Sequence, residues 1–189
     1  MSEATDHPSV AGRPRVVLVG PPGSGKSTVG AELARRDGTA LWDTDAAIEA
    51  AQGRSISDIF VVDGEASFRE LERAEVLRAL PAHTGVLALG GGAVMTAEVA
   101  EALGDPRYRD AVVFLDVGIA DAASRVGFDA SRPMLVVNPR ASWNRLMNAR
   151  RATYEALAAI QVNTAGRSVA DIADEIEKRT AAPPAGEPR

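Results

Sequence analysis

Short apolar runs punctuate the chain at Arg15 to Val19, Ala40 to Trp42, Val86 to Leu89 and Val112 to Leu115, with Ile160 to Val162 as a fifth candidate. Runs this short, apolar without alternation, mark strands buried on both faces of a parallel sheet. Between them the period turns helical. Lys26 to Arg36 follows the first run; Glu65 to Leu80 sets Phe68, Leu71, Ala74 and Leu77 on one side; Val169, Ile172, Ala173 and Ile176 do the same near the end. Ser168 with Asp171 three residues later supplies a start for that last helix. Strand and helix alternate, which predicts an α/β fold with a parallel sheet and helices on both faces.

Two kinds of stretch break this rhythm. GFDASRPMLVVNPR, from Gly127 to Arg140, has weak periodicity and reads as a loop long enough for a lid at about 125–140. The ends, 1–13 and 181–189, offer no apolar face and are expected to be disordered around a single domain at 14–180. A chain of 189 residues can bury one substantial core but is short for two.

Composition narrows the function. No apolar run approaches the ~18 residues of a membrane span, and the acidic, proline-containing start does not read as a secretion signal. With no cysteine, disulfides, thiolate metal sites and cysteine nucleophiles are excluded, and a cytoplasmic protein is expected. A net charge of -5 argues against a nucleic-acid surface and leaves the arginines for small anionic ligands. His7 and His83 suggest no metal or acid–base role, while Trp42 and Trp143 are expected to pack.

The chemistry starts at GPPGSGKST, Gly20 to Thr28, immediately after the first run. Gly20, Gly25, Lys26 and Ser27 satisfy the spacing of a phosphate loop. Its glycines let successive N–H groups turn toward phosphate oxygens, Lys26 reaches the outer phosphates, and the Ser27 hydroxyl can bind magnesium. Gly23, Ser24 and Thr28 complete the expected nucleotide-binding set. No N-K-x-D base-reading motif is present, and a transport ATPase needs a longer domain, so a small kinase acting on a metabolite is the favoured class.

Three further motifs bear on the acceptor. Asp43 and Asp45, in DTD after the second run, fall where open α/β folds bind ligands; one carboxylate suits the magnesium water shell and the other a hydroxyl proton. The plainer reading is a helix cap. Phe68, Arg69 and Glu72 share a helix, where an acid-held arginine can grip a carboxylate, although a solvated ion pair has the same spacing. Gly90, Gly91 and Gly92 can expose backbone N–H groups to a ligand. Asp116, ending VVFLD, imitates a second magnesium motif, but Asp43 is preferred for the acid beside it.

In this order, GPPGSGKST, DTD, DGE…FRELE, LGGGAV, RPML and RRATYEAL closely resemble the shikimate kinase family from about Arg15 to Arg179. The resemblance implies a three-layer P-loop kinase fold with five parallel strands, a helical substrate-binding region at about 44–75, and a closing lid. It implies transfer of the terminal phosphate of ATP, with Mg2+, to the 3-hydroxyl of shikimate, in the route to chorismate and aromatic amino acids, by a monomer.

By resemblance, Lys26 stabilises the transferring phosphate, Ser27 and Asp43 hold magnesium, and Asp45 binds the reacting hydroxyl and serves as its base. Arg69 and Arg150 bind the shikimate carboxylate, Arg150 being chosen over Arg151 by its four-residue spacing to Tyr154. Gly90, Gly91, Gly92 and Glu72 belong to the acceptor site, with Phe60 and Phe68 as walls. Arg132 reaches the phosphates from the lid; Arg125 and Arg167 lie on the nucleotide side. Met134, Thr153 and Asn163 depart from the family's usual Leu, Leu and Asp; the last bears on the adenine side. Gluconate kinase or another small-molecule kinase of the fold is the nearest alternative, adenylate kinase fits the loop less well, and an inactive nucleotide-binding regulator is the alternative from another class.

Overall fold

The computed structural model describes residues 12–126 and 139–181. Five strands, β1 Val16–Val19, β2 Leu41–Asp43, β3 Val86–Ala88, β4 Val112–Asp116 and β5 Ile160–Asn163, form one sheet in the order β2-β3-β1-β4-β5. All pairings are parallel, with Val17 opposite Leu87 on one side and Val112 on the other. Among the described residues, eight α-helices accompany them: α1 Lys26–Asp37, α2 Thr44–Gln52, α3 Ile56–Val62, α4 Gly64–Ala82, α5 Ala97–Gly104, α6 Ile119–Val126, α7 Pro139–Leu157 and α8 Val169–Ala181. The five expected strands are therefore present, and all are parallel.

Side-chain alternation within the strands divides the interior into two cores. Val17, Val19, Leu87 and Phe114 point into a cluster completed by Val76 of α4, Val99 of α5 and Trp143 of α7. Val16, Leu18, Val86 and Leu115 point the other way, against Leu33 of α1 and Ile176 of α8. A smaller cluster of Ile48, Ile59 and Phe68 joins α2, α3 and α4 beside the sheet. Covering both faces explains why the strands read as continuous apolar runs. Each fully buried Val, Leu or Phe contributes about 1.5–3 kcal/mol of transfer free energy.

The expected end of β1 and start of α8 hold: Asp171 N–H donates to the Ser168 hydroxyl at 3.1 Å. The buried face of α4 is different from the one the apolar spacing predicts. Phe68, Glu72, Val76, Ala79 and Leu80 are buried, and Ala74 is exposed. The stripe passes through a carboxylate, which an apolar-only pattern skips, and Arg69 compensates the charge. Most of the expected lid, including Arg132 and Met134, lies outside the described residues, as do most of the two expected tails.

Candidate functional site

The strand order reverses direction around β1, and the turn between β1 and α1 opens at that switch point, where α/β sheets leave a crevice beyond the carboxyl ends of their strands. Gly20, Gly23 and Gly25 have φ of 145°, 82° and 94°, values that side chains with a Cβ rarely adopt. This conformation wraps the loop around the N-terminus of α1, whose unpaired N–H groups and dipole favour an anion. Lys26 Nζ donates to the carbonyl oxygens of Gly20, at 2.8 Å, and Pro21, at 3.1 Å. The ammonium is thus held at the mouth of the loop.

Asp43 takes the capping role its sequence position allows and also reaches the phosphate loop. It caps α2, accepting from the N–H groups of Asp45 at 3.0 Å and Ala46 at 3.3 Å, and its other oxygen accepts from the Ser27 hydroxyl at 2.5 Å. The cap orients the carboxylate; the serine ties β2 to the phosphate loop. A cleft of 520 Å³ brings Lys26, Ser27, Asp43, Asp45 and Gly91 together with Arg125 and Arg167. That volume suits a small-molecule ligand.

The triple glycine is wedged among these groups. Gly90 N–H donates to the buried Thr44 hydroxyl at 3.0 Å, joining the loop to the start of α2. A Cβ at Gly90 would collide with carboxylate oxygens of Glu72 and Asp45, and one at Gly92 would lie 2.6 Å from Arg69 Cζ. Any side chain at either position would displace the charged groups. Here glycine is required by close approach rather than by a turn.

Arg69 donates to Glu72 at 2.5 Å and lies over the rings of Phe60 and Phe68, 5.9 and 5.3 Å from their centroids. The rings themselves pack at 4.7 Å. Glu72 is 1% exposed. Burial pushes its carboxyl up, Arg69 opposes that, and Asp45 adds to it. This is a buried, directed pair, not the solvated ion pair that the same spacing also permits. Arg150, also buried, donates to the Gly91 carbonyl at 2.8 Å.

The neighbouring Arg151 faces elsewhere. It forms two hydrogen bonds with Asp116, at 2.9 and 2.7 Å, and Gln161 donates to the same carboxylate at 3.2 Å. Asp116 is therefore occupied in a clamp between β4, β5 and α7, and does not line the phosphate cleft. Arg125 donates to the Thr164 hydroxyl at 3.0 Å and its carbonyl at 2.6 Å, while Arg167 is held by the Asn163 carbonyl and Glu175. Asn163 itself accepts from Ala165 N–H at 2.9 Å, closing its own turn.

Several contributors escaped the sequence. Val169 and Ile172 give the cleft an apolar side beside Arg125 and Arg167. Trp143 packs as expected, yet its indole N–H also donates to Pro22 O at 3.1 Å and so braces the phosphate loop. Trp42 is a different case: it is 36% exposed on edge strand β2 and donates to Glu75. Neither indole carries a motif that would reveal such a bond; only the fold joins the partners.

A phosphate loop after β1, an acid pair closing β2 and a shared cleft at the switch point define a P-loop phosphotransferase. Comparison with known proteins narrows that class. The family model described as shikimate kinase matches residues 22–181. A shikimate kinase of Streptomyces coelicolor is 50% identical over 84% of this chain and 91% of its own length, and one of Thermobifida fusca is 47% identical over 89% and 96%. The solved shikimate kinase of Acinetobacter baumannii, in complex with shikimate, superposes with a TM-score of 0.83 at 33% identity, over 90% of this chain and 93% of its own. The chain belongs to the shikimate kinase family. It is an ATP-dependent kinase.

Proposed function

We propose that this chain transfers the γ-phosphate of ATP to the 3-hydroxyl of shikimate through the residues gathered above. The observation that carries the reading is one cleft lined by both Lys26 of the phosphate loop and Asp45 of the acid pair. Donor phosphate and acceptor hydroxyl would meet between them. Lys26 neutralises charge on the transferring phosphoryl group, and the loop N–H groups orient it. The hydroxyl oxygen attacks phosphorus, the bond to the β-phosphate oxygen breaks, and Asp45 takes the hydroxyl proton. Such a reaction needs positioning and charge compensation more than covalent help from the protein.

On the acceptor side, Arg69 and Arg150 bind the carboxylate, Gly90, Gly91 and Gly92 supply close backbone, and Phe60 and Phe68 form the wall. Glu72 fixes Arg69 and Asp45 fixes the reacting hydroxyl. Arg125 and Arg167 flank the nucleotide beside Val169, and Arg132 completes the phosphate contacts by resemblance. Ser27 and Asp43 offer two hard oxygen donors already in contact, a set that fits Mg2+. When bound, the cation supplies neutralisation of phosphate charge. Among the described residues, no group of three or more His, Cys, Asp or Glu could hold a metal by itself, so phosphate and water oxygens would complete its shell. A cytoplasmic monomer belongs to the same reading; among the described residues no helix is long and apolar enough to cross a membrane.

ADP release, measured by coupling across shikimate, quinate, gluconate and AMP, tests the assignment. Turnover is expected with shikimate far above the others. No turnover with shikimate but turnover with gluconate or AMP would overturn it. A second expectation concerns the close approach at Gly92. In Gly92→Ala, Arg69 must swing away from the added methyl, so KM for shikimate should rise at least tenfold while KM for ATP changes little. A variant with unaltered shikimate kinetics would remove Arg69 from the proposed site.

A further inference from the structure

Tyr154 on α7 is 0% exposed, yet it is polar and sits beside the acceptor region. Its ring stacks on Phe114 of β4, with centroids 5.1 Å apart and planes inclined by 22°, which fixes the direction of the hydroxyl. The hydroxyl donates to the Gly91 carbonyl at 2.5 Å. Arg150, one helical turn earlier, donates to the same oxygen at 2.8 Å. Burial raises the phenol to about 12, against the pull of Arg150, so it remains a donor throughout the neutral range.

The two bonds bring guanidinium and phenol together on one peptide carbonyl. The carbonyl has two lone pairs, one for each donor. Because a trans peptide is planar, holding the Gly91 carbonyl also fixes the Gly92 N–H, which points the opposite way. An arginine on a four-bond stem would otherwise sample many orientations, whereas bidentate recognition of a carboxylate requires one.

We propose that Tyr154 is a positioning residue for the acceptor: its hydroxyl fixes the Gly91 carbonyl to which Arg150 donates, and so presets the angle at which the guanidinium meets a substrate carboxylate. The proposal rests on Arg150 binding that carboxylate, as proposed above. Packing alone needs the ring and not the hydroxyl, so Tyr154→Phe separates the two roles.

In Tyr154→Phe, KM for shikimate should rise about five- to tenfold, with KM for ATP and kcat within twofold of the parent. For the methyl ester of shikimate, which lacks the charged carboxylate, kcat/KM should be the same in both proteins. An unchanged KM for shikimate, or equal losses with acid and ester, would overturn the proposal. Arg150→Ala provides the separate control: if it leaves shikimate kinetics intact, the reading of Arg150 fails whatever Tyr154 does. Should Tyr154→Phe not fold, 3-fluorotyrosine in place of both tyrosines keeps the hydroxyl on the Gly91 carbonyl and reports on it, with Tyr108 as internal reference. The Tyr154 fluorine resonance should shift on saturation with shikimate and not with its methyl ester; no shift with shikimate, or the same shift with both, would overturn the proposal.

Discussion

Replacing Lys26 by Met is expected to lower kcat about 10³-fold while the chain stays folded and still binds shikimate. The effect is that of removing a preorganised cation from a phosphoryl-transfer site, where single donors are worth about 10²–10³ and charged ones at least as much. The structure adds a further consequence. Lys26 Nζ donates to two carbonyls of its own loop, Gly20 and Pro21, so the charge is part of what shapes the mouth of the cleft. Met preserves the stem but not those bonds, and a fall of a few degrees in Tm should accompany the catalytic loss. Lys26→Arg should not restore the rate, because a planar guanidinium cannot occupy the point between two loop carbonyls that the ammonium fills. Kinetics of ADP release together with thermal melts check both parts. Retention of more than a tenth of the parent kcat in Lys26→Met would remove the lysine from the proposed role.

The residues legible in the sequence are those whose chemistry is encoded by close spacing. A phosphate loop must lie within a few residues between a strand and a helix, so Gly20 to Thr28 announced both the motif and its surroundings. DTD and GGG likewise end strands, and the parallel sheet carries their ends to one side. The alternation of apolar runs was enough for β1 to β5 because both faces are covered. What stayed hidden depends on partners distant in the chain. Asp116, passed over in the sequence for Asp43, shows its own role only when β5 and α7 bring Gln161 and Arg151 onto it. Arg150 and Arg151 are adjacent letters that the sequence separates only by the spacing to Tyr154; their partners, Gly91 for one and Asp116 for the other, come from the fold. Apolar spacing misplaces the buried side of α4, because Glu72 occupies an interior position that hydropathy assigns to an apolar residue.

That same Glu72 governs the second large effect. Arg69→Ala should raise KM for shikimate about 10²-fold with KM for ATP nearly unchanged, since a charged carboxylate contact is lost on the acceptor side only. It should also destabilise the fold, because a carboxyl that is 1% exposed loses its cation; breaking one side of a buried pair costs roughly 3–5 kcal/mol. The pH dependence distinguishes this from simple loss of packing. Burial already pushes the Glu72 carboxyl up, and Arg69 is the main group opposing that. Without Arg69 its folded-state pKa rises further above the unfolded value. A raised carboxylate pKa means the folded state binds the extra proton, so the variant's stability is retained at low pH and lost as pH rises through the elevated pKa. Arg69→Ala should therefore melt higher at pH 5.5 than at pH 8, more so than the parent. Adding Glu72→Gln replaces the ionisable group with a neutral amide of the same shape. The double variant should lose the extra pH dependence but keep the high KM for shikimate. If its melting curve still follows pH like that of Arg69→Ala, another group is responsible for the sensitivity. If KM returns to the parent value, Arg69 does not bind the acceptor.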